Sequence, residues 1–398
     1  MNAAAGTPAR RIPAGAVAGA ALVILSACAG SGSVSAHELD GQRHASEAHD
    51  FRVEVVTDDL EHPWSLAFLP DGRAVVTERP GRLLLIDPAT GERTQVEGVP
   101  GVTARNQGGL LDVALHPDYP EQPWIYLTWS GADEGGSGTA THLGRARFDA
   151  DAARLDDLAV LHVATPYTGP GRHYGSRLAF DPDGYLFMTT GDRGSRDSAQ
   201  DMGSHHGKTL RFTTDGEIPV DNPFVDDDDV LDAIFSYGHR NAQGMAVHPD
   251  TGEVWQSEHG PRAGDEINRI ERGADFGWPD ATWGREYGSG RYIGVTPPEA
   301  EDTVDPVYYW EDASFAPSGL AVYSGEAFPD WQGDFFVGSL VRTNVTRLIA
   351  DSGGFTGEEA LLDDAGLRIR DVRVGPEGYL HLLVDASNGP WLRLVPAE

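Results

Sequence analysis

With 62 acidic residues against 30 basic ones, this 398-residue chain carries a formal net charge of -32. A surface of that sign repels nucleic-acid phosphates and anionic lipid headgroups, which excludes both as electrostatic partners. The length supports a large core, and 49 glycines with 26 prolines imply many turns and an all-β architecture.

The chain begins with the pattern of an export signal. Arg10 and Arg11 precede an apolar run over residues 14–25, too short for a transmembrane helix. Leu25-Ser26-Ala27-Cys28 then resembles a bacterial lipobox, and Cys28 is the single cysteine, so no intrachain disulfide can form. The expected division is a signal peptide over 1–27, a flexible tether over 28–50 and one folded domain over 51–398. The tether is rich in Gly, Ser, His and Glu, and its histidines (His37, His44, His49) read as solvated. The mature protein is expected outside the cytoplasm, touching a membrane only through lipid on Cys28.

From residue 51 onward one unit recurs: a short apolar run, a Pro-Asp type turn, then a β-rich run. It appears as AFLPDGRAVVTE, ALHPDYPEQPWIYLTWS, AFDPDGYLFMTTGD, AVHPDTGEVWQSEHG, AFPDWQGDFFVGSL and VGPEGYLHLLVD, with prolines at 70, 117, 182, 249, 329 and 376. Turn chemistry and alternation make each a β-hairpin. Six copies over about 350 residues predict a six-bladed β-propeller, each blade being about 40–50 residues plus insertions. Residues near 52–56 are expected to pair with residues near 391–395 and close the ring. A β-sandwich explains six matched hairpins less well.

Loops at one mouth of a propeller converge, so polar residues flanking the hairpins can meet there. The stretch GRHYGSRLAFDPDGYLFMTTGDRG, residues 171–194, places His173 before one hairpin and Asp192 just after it, on the same side of a sheet. A His that takes a proton and an Asp that orients it form a general-base unit. Gln107 precedes the second hairpin. Arg240 and Asn241 precede the fourth, where a buried cation calls for an anion. Gly260-Pro261 follows the fourth hairpin and offers two carbonyls suited to a hard cation. Arg368 and Arg370 precede the last hairpin, and alternation puts both on one face, suited to a carboxylate-rich ligand. The acidic run Asp226–Asp229 reads as a solvated loop.

In order along the chain, HPWSLAFLPDG, NQGGLLDVALHPDY, HYGSRLAFDPDG, GDRG, YGHRNAQGMAVHP, SEHGPRAGDEIN, FGWP, APSG and RIRDV resemble the soluble quinoprotein sugar dehydrogenases. This is the glucose/sorbosone dehydrogenase family, which uses pyrroloquinoline quinone (PQQ). The resemblance runs from about residue 53 to the C-terminus. It implies a six-bladed propeller with the quinone over the channel mouth, and oxidation of aldose sugars at C1 to lactones. His173 would be the base, oriented by Asp192. Gln107 would touch substrate and quinone, Arg240 and Asn241 would face the quinone, and Arg368 and Arg370 would hold its carboxylates. Gly260 and Pro261 would offer carbonyls to a Ca²⁺ that also binds the quinone.

One departure stands out. Members resembling the glucose enzyme have a Lys after the Ser-Leu of the fifth hairpin; here Ser339-Leu340 is followed by Val341 and Arg342. Alternation puts Val341 at the Lys position, and Arg342 could replace it only with a local shift. The polar segment 131–141 is short, which favours an open site and broad aldose use. Two competing readings are a Ca²⁺-dependent lactonase-type hydrolase, whose central metal ringed by carboxylates and amides the arginines do not suit, and a non-catalytic cell-surface binding propeller, which has no need of the His173–Asp192 pair together with Arg368 and Arg370. The natural sugar, the downstream electron acceptor and the oligomeric state are not legible in the residues.

Overall fold

Six antiparallel sheets surround a common axis in the computed structural model, which describes residues 36–311, 313–351 and 354–397. Blade one is Pro63–Phe68, Ala74–Glu78, Arg82–Ile86 and Arg93–Gln95. Blade two is Leu110–Leu115, Trp124–Ala132, Thr139–Asp149 and Arg154–Thr168. Blade three is Leu178–Phe180, Leu186–Thr189, Lys208–Phe212 and Ile234–Tyr237. Blade four is Ala242–Val247, Val254–Glu258, Asp265–Arg269 and Tyr308–Trp310. Blade five is Pro317–Val322, Phe335–Ser339, Val345–Asp351 and Gly354–Leu361. Blade six takes Ile369–Val374, Leu380–Val384 and Gly389–Pro396 from the C-terminal end and Phe51–Leu60 from the other end of the chain. In that closing pair Arg52 lies opposite Val395 and Thr57 opposite Trp391. The expected propeller and its expected seam are both present.

The recurring sequence unit is the inner hairpin of each blade, and its turn chemistry explains the recurrence. In blade one Phe68 pairs with Ala74, the Asp71 carboxylate accepts the Arg73 N–H at 2.9 Å, and Gly72 sits at φ +90°. Blade three closes its turn from a different Asp: Phe180 lies opposite Leu186, Asp181 at the head of DPDG accepts the Tyr185 N–H at 2.8 Å, and Gly184 sits at φ +84°. Asp caps its own turn, and Gly takes the left-handed position without a Cβ penalty. Blade five differs. Its inner strand lies upstream of the AFPDW motif, which forms the connection as a short 3-10 turn, Pro329–Trp331. Phe328 and Trp331 are fully buried there and stack at 4.1 Å, so the longer connection carries its own apolar core.

Part of the expected tether is folded. Residues 36–50 pack on blade six instead of forming a solvated linker. Arg43–His44 adds a strand to its outer edge, His44 stacks on Phe51 at 5.4 Å, and His49 meets Trp331 edge-on at 5.9 Å. Leu39 is 2% exposed, a burial of the kind that contributes about 1.5–3 kcal/mol. Low-complexity composition hid this docking because two or three apolar anchors suffice for it. The signal peptide, Cys28 and the first part of the tether lie outside the described residues. Among the described residues no helix is long and apolar enough to cross a membrane.

A buried ionic cluster ties together the inner strands of blades two, three and six. Arg177 is 1% exposed and pairs with Asp112 at 3.3 Å and Asp371 at 2.9 Å; Arg373 pairs with Asp371 at 3.0 Å and Asp112 at 3.3 Å. Two guanidinium groups and two carboxylates cancel in net charge, which makes their desolvation tolerable. Arg177 Nη2 also donates to the Arg370 carbonyl at 3.1 Å, and its guanidinium lies 4.2 Å from the Trp64 ring centroid. Through the Arg370 carbonyl this cluster adjoins the residues described next.

Candidate active site

Most polar groups gathered at the mouth come from one of two places in a blade: just before the inner strand or just after the second strand. Both lie at the same end of the sheet, because the hairpin between them turns at the other end. His173 lies before the inner strand of blade three and Asp192 after its second strand. Their side chains meet, Nδ1 to Oδ1, at 2.6 Å. His173 is itself left-handed, φ +53°, and its N–H donates to Gln107 Oε1 at 2.7 Å. Gly191 makes this approach possible: a Cβ there would stand 2.2 Å from the His173 carbonyl oxygen.

Asp192 is held from three sides. Its Oδ1 also accepts the Gly194 N–H at 2.6 Å, and its Oδ2 accepts the Trp278 indole N–H at 2.9 Å. Burial pushes its pKa upward, but the His173 bond and charge, Arg240 and the Gly194 N–H outweigh that and leave it below the usual carboxylate value. Burial is also the largest influence on His173 and lowers its pKa; the Asp192 hydrogen bond opposes it and Arg240 reinforces it. Both directions favour a neutral imidazole beside an ionised carboxylate at neutral pH. Nδ1 is occupied by Asp192, so Nε2 is the nitrogen left for a substrate proton.

Trp278 was named in the sequence only within FGWP. It arrives from the long excursion 270–307 of blade four, so its role depends on a tertiary approach to blade three. Arg240 and Asn241 lie before blade four. Asn241 Oδ1 accepts the Gly175 N–H at 3.2 Å, while its Nδ2 is buried with no partner. A buried amide with donors unused marks a place for an acceptor. His259 Nε2 is buried without a partner as well, and burial, with Arg240 and Arg370 adding to it, sets its pKa well below the ordinary imidazole value.

The opposite side of the mouth is cationic. Arg370, 6% exposed, reaches Asp385 Oδ2 at 3.0 Å and Gln243 Oε1 at 2.7 Å. Arg368 reaches the same carboxylate at 3.5 Å and donates to the Leu340 carbonyl at 2.6 Å. The alternation that placed both arginines on one face therefore holds. Asp385 and its second partner His62, Nδ1 to Oδ1 at 2.8 Å, escaped sequence reasoning. The signal was available: Asp385 follows the second strand of blade six as Asp192 follows that of blade three. Burial raises the Asp385 pKa, but Arg370, His62 and Arg79 together hold it far below the usual range. Arg79, after the second strand of blade one, adds a further positive charge and donates to the Asn106 carbonyl at 3.0 Å.

The other predicted positions divide. Arg342 does not supply the missing cation: its guanidinium turns to Glu358, 3.5 Å away, while Val341 is exposed. Residues 226–229 are exposed as expected. The Gly260-Pro261 pair does not form a ready cation site. Arg240 Nη1 donates to the Gly260 carbonyl at 2.8 Å and to that of His259 at 3.0 Å, so a guanidinium already stands where the ion was expected. Among the described residues no group of three His, Cys, Asp or Glu side chains could hold a metal.

A basic, orphan-lined mouth with a His–Asp pair, set on six blades, describes a propeller oxidoreductase acting on a small polar substrate. The family model "Glucose / Sorbosone dehydrogenase" matches residues 60–393, and the chain belongs to that family. Aldose sugar dehydrogenase YliI of Escherichia coli is 43% identical over 351 residues, 86% of this chain and 92% of that one. Quinoprotein glucose dehydrogenase B of Acinetobacter calcoaceticus is 28% identical over 422 residues, 86% of this chain and 87% of that one. Among solved structures, the apo-form of the soluble E. coli aldose sugar dehydrogenase superposes with TM-score 0.82 at 42% identity, over 87% of this chain and all of that one. The PQQ-bound form of aldose sugar dehydrogenase from Streptomyces coelicolor gives TM-score 0.71 at 28% identity, over 86% and 98%. The family supports a sugar dehydrogenase that binds PQQ.

Proposed function

We propose that this protein oxidises aldoses at the anomeric hydroxyl, giving lactones, with PQQ as the oxidant. The observation that carries this reading is the 2.6 Å His173–Asp192 pair facing a mouth of unsatisfied donors and arginines. The residues fit a polyanionic quinone. Arg368 and Arg370 would hold its carboxylates, Asn241 has an unused amide, and Gln107 keeps its NH₂ because its oxygen serves His173. When bound, PQQ supplies the acceptor for the hydride leaving the sugar's C1.

The protein's own residues do the rest. His173 Nε2 removes the C1 hydroxyl proton as the carbon–hydrogen bond breaks. Asp192 keeps the Nδ1 proton in place and stabilises the imidazolium that forms. Trp278 holds Asp192 so that it cannot rotate away. Arg240, 7% exposed, lies beside this pair as a fixed positive charge. Calcium belongs to the proposal on different terms. An ion at the Gly260 carbonyl would compete with Arg240 for that oxygen, and no step is assigned to it. Central carboxylates already paired with Arg177 and Arg373 do not suit a lactonase-type hydrolase, which needs a central metal ringed by carboxylates and amides. We also propose export and lipid anchoring through Cys28; Cys28→Ser should release the protein from the membrane fraction, and retention there would refute the anchor.

The deciding experiment is reduction of an artificial dye by glucose and other aldoses, using purified protein lacking residues 1–27 and stripped of cofactor. Activity that appears on adding PQQ is the expected result, with calcium tested separately. Broad aldose use follows from the short segment at 131–141. Failure to bind PQQ would overturn the reading.

A further inference from the structure

The strain at His173 points to a second device holding the base. A non-glycine residue in the left-handed region costs about 1–2 kcal/mol, and His173 persists there at φ +53°. Asp192 holds the ring. It does not hold the backbone of the preceding loop.

That backbone is gripped by the next residue. Arg193 is 1% exposed, yet it forms no ion pair with a carboxylate among the described residues. Its Nη1 donates to the Arg172 carbonyl and its Nη2 to the Pro170 carbonyl, both closely. Nη2 also donates to Thr139 Oγ1 at 2.9 Å, at the start of the third strand of blade two. The guanidinium lies 3.6 Å from the Tyr174 ring centroid. Tyr174 is tied to the same strand: its hydroxyl bonds Thr139 Oγ1 at 2.8 Å, and its carbonyl accepts the Thr141 hydroxyl at 2.9 Å.

A buried guanidinium with only neutral acceptors makes a poor stabiliser, since a well-packed apolar side chain avoids the desolvation. What a planar fork of donors does supply is fixed geometry across several acceptors at once. We propose that Arg193 is a positioning residue: by tying the carbonyls of residues 170 and 172 to blade two, it keeps His173 in its left-handed presentation to Asp192. Neighbours in sequence thus take the base at two points, Asp192 at the ring and Arg193 at the backbone. This inference rests on the proposed role of His173.

The test is a pH titration of the His173 imidazole by NMR in ¹⁵N-histidine-labelled apo-protein, with His173→Ala assigning the signal. In Arg193→Gln the loop opens to water, and the His173 pKa moves up toward the ordinary imidazole value. In the PQQ-loaded enzyme kcat falls about 10–100-fold, the acid limb of the rate profile shifts up, and the sugar KM and PQQ affinity stay within about threefold. Arg193→Lys does not restore the rate, because one ammonium cannot span the fork; millimolar guanidinium added to Arg193→Ala restores part of it. An unmoved His173 titration, with native kcat or with kcat and Tm falling together, overturns the proposal. Should Arg193→Gln fail to fold, Thr139→Val removes a single acceptor and is read the same way: a smaller upward shift is expected, and none overturns the proposal. Full turnover by His173→Ala would sink the assignment of the base, while the titration would still report on Arg193.

Discussion

The mouth holds two His–Asp pairs of nearly equal length, and they are not equivalent. His173 and Asp192 are 2.6 Å apart; His62 and Asp385 are 2.8 Å apart. Asp192 takes its other hydrogen bonds from an indole N–H and a backbone N–H, both neutral. Its negative charge is therefore available to an imidazolium. Asp385 already faces Arg370 and Arg368, and its charge is spread over two guanidinium groups. The surroundings of the carboxylate, rather than the pair itself, separate a general base from an anchor for a polyanion. Asp385 also fixes Arg370 where a ligand carboxylate would find it.

Breaking the first pair should have the largest effect. His173→Ala is expected to lower kcat about 10³-fold while PQQ affinity stays within a few fold; equilibrium binding and dye reduction together test this. His62→Ala, the matched change in the second pair, should leave kcat within about tenfold. Nearly as damaging on the catalytic side is Gly191→Ala. Its methyl would stand 2.2 Å from the His173 carbonyl oxygen and would displace the base, costing about 10²-fold in kcat with binding retained.

On the anchoring side, Arg370→Ala should weaken PQQ binding at least tenfold, about 1.4 kcal/mol, because it removes a charge and leaves Asp385 buried with less compensation. Titration of apo-protein with PQQ measures this, and unchanged affinity would break the comparison. The subtlest contrast is in pH. Burial lowers the His173 pKa, so the acid limb of kcat/KM should fall below about 6.5, the ordinary imidazole value. Activity is then lost as pH drops through the lowered value. A limb above 6.5 would assign it to another group.

Buried neutral histidines outside the mouth add a stability effect. Burial takes His162 to about 3 and His205 and His206 to about 4. Below about 6.5 the unfolded chain takes up protons that these folded residues refuse. Stability should therefore decline as pH falls from about 6.5 toward 4, measurable as Tm across that window.

Much of this was written locally in the chain. Pro-Asp and Pro-Glu turns in a repeated apolar pattern mark the hairpins locally, because the turn bonds span four or five residues; Asp-Gly closes two of them, and blade five departs with its longer connection. His173 and Asp192 were legible as a pair for the same reason: a single hairpin fixes which side its two ends share. The family motifs carried the arginines and amides. What stayed hidden depends on contacts between distant segments. Trp278 reaches Asp192 across 86 positions, through the approach of the blade-four excursion to blade three, and His62 reaches Asp385 across 323, through closure of the ring. The capture of the Gly260 carbonyl by Arg240, the turning of Arg342 to Glu358 and the docking of residues 36–50 were likewise decided by the folded structure. A carbonyl or a guanidinium is satisfied by whichever partner packing brings within hydrogen-bond reach, and sequence spacing alone does not choose that partner.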